Sequence, residues 1–164
     1  NLICHPNQIK ERGRAALLGF KQTESSFEYL AHMFFEPTTN GSEAGISIFQ
    51  KDDNYINFTL INKDSKIFLQ AYALKNNKLV KVVKHQLNKY NSNIKFKMIS
   101  NKDNYELYYS IKGTHFNYFA TFEGNLVVSN GYTGAHLGIY ATSNGEETKD
   151  LASFDYVNFI SKKK

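Results

Sequence analysis

Three glycines and the polar aromatics Tyr132 and His136 are packed into the start of Asn130 to Asn144, Asn-Gly-Tyr-Thr-Gly-Ala-His-Leu-Gly-Ile-Tyr-Ala-Thr-Ser-Asn, which then runs into an expected strand over Leu137 to Thr142. Glycine is favoured where the backbone must take positive φ or approach another group closely. Gly131, Gly134 and Gly138 together therefore argue a shaped loop rather than a plain hairpin. Loops of that kind, held at the end of a strand, are where sites usually sit, and Tyr132, Thr133, Gly134 and His136 are its candidate residues.

Acid–base chemistry would need two carboxylates facing one another across a cleft, one with a raised pKa. The candidates are Glu43 and Asp155, the latter the one acid in a last strand, Ala152 to Phe159, where it reads as buried. A plainer assignment is structural: Glu43 serves a loop, and Asp155 accepts backbone or tyrosine hydrogen bonds. The histidines, His5, His32, His85, His115 and His136, are scattered at no metal-ligand spacing, and neither HExxH nor CxxC occurs. No metal site and no cofactor is predicted from them. There is no Gly-x-Ser-x-Gly elbow to raise a nucleophile and no glycine-rich loop opening a helix to hold phosphate.

The elements that must position these residues come from a chain of 164 residues, one domain by length and large enough to bury a core without staples. Cys4 is the single cysteine, so it makes no internal disulfide and reads as a small apolar residue or a lone thiol. No apolar run approaches the roughly 20 residues that span a bilayer, and the start lacks the segments of a signal peptide. The chain opens on Asn1, without Met, and is read as a piece of a longer protein. The net charge of +5 comes from one segment: nine lysines and no acid lie between Asp64 and Asp103, leaving 11 of the 20 basic residues against 15 acids elsewhere. All nine are Lys, without the planar fork of Arg that suits phosphate and base recognition. A solvated lysine face on one sheet, which also discourages edge pairing, is the reading; neither a nucleic acid nor a membrane is an expected partner.

Most of the sequence repeats with period two and punctuates itself every eight to twelve residues, the pattern of antiparallel strands. Asn1 to Gly13 is an irregular lead-in or short edge strand, and Arg14 to Thr23 is better a strand than a helix because Gly19 interrupts it. Ser26 to Glu36 is a long strand expected to be covered on both sides. Pro37 to Ser42, with its Asn-Gly pair, turns into Ala44 to Gln50. Ile56, Phe58 and Leu60 alternate with Asn57 and Thr59, predicting one buried and one wet face. Strands follow over Ile67 to Leu74, Lys78 to His85, Ile94 to Ile99, Tyr105 to Ile111, Phe116 to Phe122 and Leu126 to Ser129. Lys78 to His85 also fits a helical stripe, but its valines and neighbours favour a strand. About a dozen short strands cannot lie in one open sheet without curling. The expected fold is all-β, a two-sheet antiparallel sandwich of jelly-roll or lectin-like type.

The pieces Arg14 to Thr23, Phe35-Glu-Pro37, Glu43-Ala-Gly45, Phe49-Gln50, Asn54-Tyr55, Gly131 to Gly138 and Ala152 to Tyr156 fall in an order that resembles the C-terminal concanavalin A-like β-sandwich domain of glycoside hydrolase family 43 enzymes, the β-xylosidases and α-L-arabinofuranosidases. The resemblance runs from about Arg14 to Phe159, with no matching motif from Ile61 to Asn104. It implies that the catalytic acids lie elsewhere, on an N-terminal five-bladed β-propeller, and that residues 1–164 form one accessory domain packed against it. It also implies that Gly131 to Gly138 lean over the substrate pocket, with His136 where other members often carry Phe. The expected partners are that propeller and a xylo- or arabino-oligosaccharide. Either cytoplasm or periplasm suits a xylan-degrading role. Calcium occurs in lectin-like sandwiches, but no acid cluster names its ligands.

Two other readings stand beside this one. An autonomous carbohydrate-binding module would use aromatic platforms, Tyr105 with Tyr109 or Tyr108 on the opposite face, although the chain has no Trp. A free-standing hydrolase would use Glu43 and Asp155.

Overall fold

The structure is a computed structural model that describes residues 1–4, 16–21, 26–51, 54–101, 103–126 and 136–161, with the backbone alone at 16–21, 50–51 and 161. Its strands, in chain order, are β1 (Leu2–Ile3), β2 (Ala16–Lys21), β3 (Phe27–Phe35), β4 (Glu43–Lys51), β5 (Asn54–Lys63) and β6 (Lys66–Lys75). They continue with β7 (Lys78–Gln86), β8 (Asn93–Asn101), β9 (Asn104–Ser110), β10 (Asn117–Glu123), β11 (His136–Thr142) and β12 (Leu151–Ser161). They form two six-stranded sheets, β1-β12-β3-β8-β9-β10 and β2-β11-β4-β5-β6-β7, and every pairing is antiparallel. The expected two-sheet sandwich is the observed architecture.

Turn chemistry sets the registers. Asp64 (φ 53°) and Ser65 (φ 65°) join β5 to β6, and Asn76 (φ 53°) and Asn77 (φ 63°) join β6 to β7. Two central residues at positive φ give a connection whose twist matches the flanking strands, so these hairpins are tight. The β5–β6 ladder runs without slippage from Lys63↔Lys66 to Tyr55↔Leu74.

The core lies between the sheets and is built from alternate residues of each strand. From the first sheet come Phe27, Tyr29, Met33, Phe96, Tyr105 and Leu107; from the second, Ala44, Ile46, Ile48, Phe58, Leu60 and Leu69. Phe58 stacks on Phe119 at 5.3 Å between ring centroids and meets the Phe96 edge at 5.0 Å, which ties the two sheets through aromatic contact. A fully buried side chain of this size contributes about 1.5–3 kcal/mol.

Several expectations need correction. β3 is not covered equally on both sides: Phe27 to Phe35 alternates, and Phe34 on the second face is 44% exposed. β5 departs in the opposite sense, since Asn57 and Thr59, expected in water, are fully buried. The lysines do not share one sheet. Lys78, Lys81 and Lys84 lie on β7, the edge of the second sheet, and Lys95 and Lys97 on β8 of the first. The argument about edge pairing therefore holds for β7 alone. A single 3-10 turn spans Gly124–Leu126, and the strand expected from Leu126 falls on 127–129, outside the described residues. At the start, Leu2–Ile3 is a short edge strand on β12.

On the outward side of the second sheet, Gly45 is the cross-strand neighbour of Tyr140 and Thr59. A Cβ there would run into the Phe58 carbonyl oxygen, with Thr59 Cα only 2.7 Å away. Backbone cannot step aside as a flexible side chain can, so Gly45→Ala should cost about 2–3 kcal/mol, the range of overpacked sites. Urea unfolding checks this, and an unchanged midpoint would refute the close approach of β4 and β5.

Candidate functional site

The outward face of the second sheet is where polar side chains converge. Cross-strand pairing sets them in rows, among them Gly138, Ser47, Asn57 and Tyr72, and beside it Tyr140, Gly45, Thr59 and Gln70. Small residues on β4 and β11 leave room for rings, and a second apolar cluster of Tyr55, Leu74 and Tyr140, with Phe49 and Tyr72 against it, fills that room. This cluster explains why the polar positions of β5 are buried.

At one end of the face sits Glu43, 2% exposed. Its Oε2 accepts hydrogen bonds from Thr59 Oγ1 at 2.6 Å, Gln70 Nε2 at 3.0 Å and the Tyr72 hydroxyl at 3.0 Å. Its Oε1 accepts from Asn144 Nδ2 at 3.0 Å. The Tyr72 hydroxyl in turn accepts from Asn57 Nδ2 at 3.1 Å, so three rungs of the sheet are joined by one polar chain. Burial, and then the Glu43 charge, push the Tyr72 phenol well above its ordinary 10.0, which keeps it a donor. Beside this network opens a cleft of about 510 Å³, with Glu43, Gln70, Tyr72 and Asn144 on its polar side and Leu79 and Val82 of β7 on its apolar side.

A second buried carboxylate, Asp150, sits before β12 and is purely structural in its contacts. Its Oδ2 accepts from the amides of Thr38 at 2.9 Å and Thr39 at 2.8 Å, and its Oδ1 from Thr38 Oγ1 at 2.7 Å. Burial alone would raise its pKa, but hydrogen bonds from Thr39 and Thr38 outweigh it and hold the carboxyl below 3.8. Cys4 is buried near both acids. Burial, then the charges of Asp150 and Glu43, push its thiol up to about 12, so it is inert.

The residues singled out from sequence scatter across this frame. Tyr132, Thr133 and Gly134 lie outside the described residues. His136 opens β11 on the outward face, its ring stacked on Phe49 at 5.4 Å, and its Nδ1 has no hydrogen-bond partner among the described residues. The Tyr105–Tyr109 platform is corrected: Tyr105 is fully buried and Tyr109 packs against the core, because the face they share with Leu107 is the inner one. Tyr108 is on the outer side, edge-on to Tyr118 at 5.7 Å and hydrogen-bonded to Glu106 at 3.4 Å.

Asp155 is also corrected. It is not buried: its side chain is 62% exposed and meets His32 Nδ1 at 3.5 Å on the outside of the first sheet. Glu43 is on the outside of the second sheet, so the hydrophobic core separates the two acids and they cannot flank one bond. The role expected of Asp155, accepting backbone hydrogen bonds, belongs to Asp150. Sequence reading missed Gln70, Tyr72 and Asn144; the signal available was the alternation of Asn57-Thr59 and Gln70-Tyr72 on neighbouring strands. Among the described residues, no group of three or more His, Cys, Asp or Glu could hold a metal ion.

Two stacked antiparallel sheets with a polar cleft on one outward face define a concanavalin A-like sandwich. The sequence matches the concanavalin A-like C-terminal domain of β-xylosidase over residues 1–160, and the chain belongs to that family. A xylosidase/arabinosidase of Butyrivibrio fibrisolvens is 21% identical over 161 residues, covering 94% of this chain and 30% of that protein. Among solved structures, a GH43 protein from Bacillus licheniformis superposes with a TM-score of 0.84 at 20% identity, over 96% of this chain and 32% of that one. A xylan β-1,4-xylosidase from Bacillus halodurans gives 0.86 at 14% identity, over 96% and 32%. At these identities the superpositions show the fold, and this chain spans about a third of the length of those relatives.

Asp150 supplies a stability term with a definite sign. A carboxyl whose folded pKa is depressed stabilises the fold above its unfolded value and loses that contribution as pH falls through the folded value. Asp150→Asn should therefore cost about 1–3 kcal/mol at pH 7. The gap to the unaltered chain should narrow below pH 3.8. Denaturant midpoints measured from pH 7 to pH 2.5 check this; a gap independent of pH would refute it.

Proposed function

We propose that this chain is a non-catalytic accessory domain of a longer xylosidase- or arabinosidase-type glycoside hydrolase. It packs against a catalytic β-propeller and lends the loop over 131–138 to the substrate pocket. The observation that supports this most is the commitment of the two carboxylates buried among the described residues: Glu43 and Asp150 are each held by neighbouring donors, and the exposed Asp155 lies across the core from Glu43. A glycosidase needs two acids on one cleft, one free to donate and one to attack or activate water. Membership of the β-xylosidase C-terminal family, and relatives about three times as long, favour a catalytic centre carried on other residues.

In this reading Tyr132, Thr133, Gly134 and His136 contribute to the pocket. His136 begins a strand fixed on both sides, by β2 and β4, so its own position is set by the sheet. A residue so anchored positions substrate without taking part in bond cleavage. It would favour short, chain-end substrates by closing one side of the pocket.

The test compares the longer hydrolase with a version lacking this domain, and with His136→Ala. Removal should lower thermal stability and turnover of an aryl xyloside, while His136→Ala should raise KM by about 3–10-fold with a smaller change in kcat, the signature of lost ground-state contact. The isolated 164-residue chain should not turn over the substrate. Unchanged stability and kinetics after deletion, or turnover by the chain alone, would overturn the proposal.

A further inference from the structure

We infer that the cleft on the outward face of the second sheet, whose lining does not include His136, is itself a binding site for a short, neutral oligosaccharide. The inference stands on this cleft alone and does not require the accessory role.

Its volume, about 510 Å³, falls in the range of small-molecule sites. The two sides differ in chemistry. The exposed Asn40, Asn77, Lys63 and Glu146 supply donors and acceptors, above the self-paired Glu43, Gln70 and Asn144 that form the polar floor of the cleft. Opposite them, Leu79 is 59% exposed and Val82 50% exposed, on a strand otherwise studded with Lys. Apolar groups left in water beside a polar cleft suit a ligand that offers both surfaces. A pyranose does: its C–H faces lie against aliphatic or aromatic walls, and its hydroxyl rim hydrogen-bonds to carboxylate and amide groups.

Charge narrows the class. Glu43 is held by neutral donors only, hydroxyls and amides, so its negative charge is not cancelled at the cleft. Lys63 is the one cation lining the cleft among the described residues, with Lys84 of β7 close enough to sense the Glu43 charge, against Glu43 and Glu146. A uronate or phosphate would meet the charges of two carboxylates, whereas sugar hydroxyls would donate to the exposed Glu146.

The site is also set in advance. Asn144 Nδ2 donates to the Gly41 carbonyl at 2.6 Å as well as to Glu43, and the Gly41 amide donates to the Asn62 carbonyl at 2.8 Å. The polar end therefore needs no ordering when a ligand arrives, which lowers the cost of association. Asn57, fully buried, keeps its Oδ1 unpaired among the described residues while its Nδ2 holds Tyr72.

The experiment is an amide-resolved NMR titration of the 164-residue chain with xylotriose, repeated with trigalacturonate and with calcium chloride. Xylotriose should shift the amides of Gly41, Glu43, Leu79, Val82 and Asn144. Leu79→Asp, at an exposed position that the fold tolerates, and Asn144→Ala should each weaken binding about tenfold, as expected for loss of a central wall or an orienting amide. His136→Ala should bind as the unaltered chain does. No shift with xylotriose, shifts confined to His136 or Tyr108, full binding by both cleft variants, or tighter response to trigalacturonate or calcium would each overturn the inference. Because none of these outcomes depends on the longer hydrolase, failure here leaves the accessory reading untouched, and failure of the deletion test leaves the cleft.

Discussion

A carboxylate taken out of water must be met by hydrogen-bond donors, and Glu43 draws its four from β5, β6 and the segment joining β11 to β12. Desolvating the charge costs several kcal/mol, which these bonds must offset together; losing one donor would leave a strained remainder. The acid thus fixes more than its own strand. It sets which face of β5 and β6 is polar, holds Tyr72 upright through its hydroxyl, and pulls the turn at Asn144 down onto the sheet through Gly41 and Glu43 together. The geometry of the cleft follows from this one demand.

That demand also makes the two sheets unequal. The first sheet has an inner apolar face and an outer face of Lys97, Glu28, Tyr108 and His32 partly in water, as antiparallel sheets usually do. The second sheet is packed on both faces, by the main core inside and by the Tyr55, Leu74 and Tyr140 cluster outside. Close packing on the outer face requires small residues beneath the rings, and Gly45, Ser47 and Gly138 meet that need.

Period two was enough to read the strands, the turns and the two-sheet fold, because each strand carries its own apolar alternation. It could not tell which polar residues would be covered. Asn57 and Thr59 look solvated in isolation, and only the tyrosines brought over them from β6 and β11 bury them. Parity fails differently at Asp155. The β12–β3 register shifts between Phe154 and Tyr156, and the extra residue at that bulge is left without a partner. Alternation from the core-facing Phe154 sets Asp155 outward, as observed, and fails only beyond the bulge; the acid was read as buried against that pattern, and Asp150, in a coil before the strand, was overlooked. Tyr105 and Tyr109 show the converse: their pairing on one face was legible, but the intervening Leu107 marks that face as core.

His136 and the cleft belong to one physical row. Pairing runs His136↔Phe49↔Tyr55↔Leu74↔Leu79, from the base of the loop to the apolar wall of the cleft. Tyr55 and Leu74, in the middle, are 1% and 7% exposed and packed in one cluster, so the row transmits position faithfully. Faithful positioning differs from energetic coupling, which needs an element with two arrangements that both sites bias. Each ring in this row rests on its neighbours, and a packed sheet of this kind resists continuous deformation. His136 at one end of the row and the cleft at the other are therefore held at a fixed separation without being energetically coupled, which is what two independent ligand contacts would require.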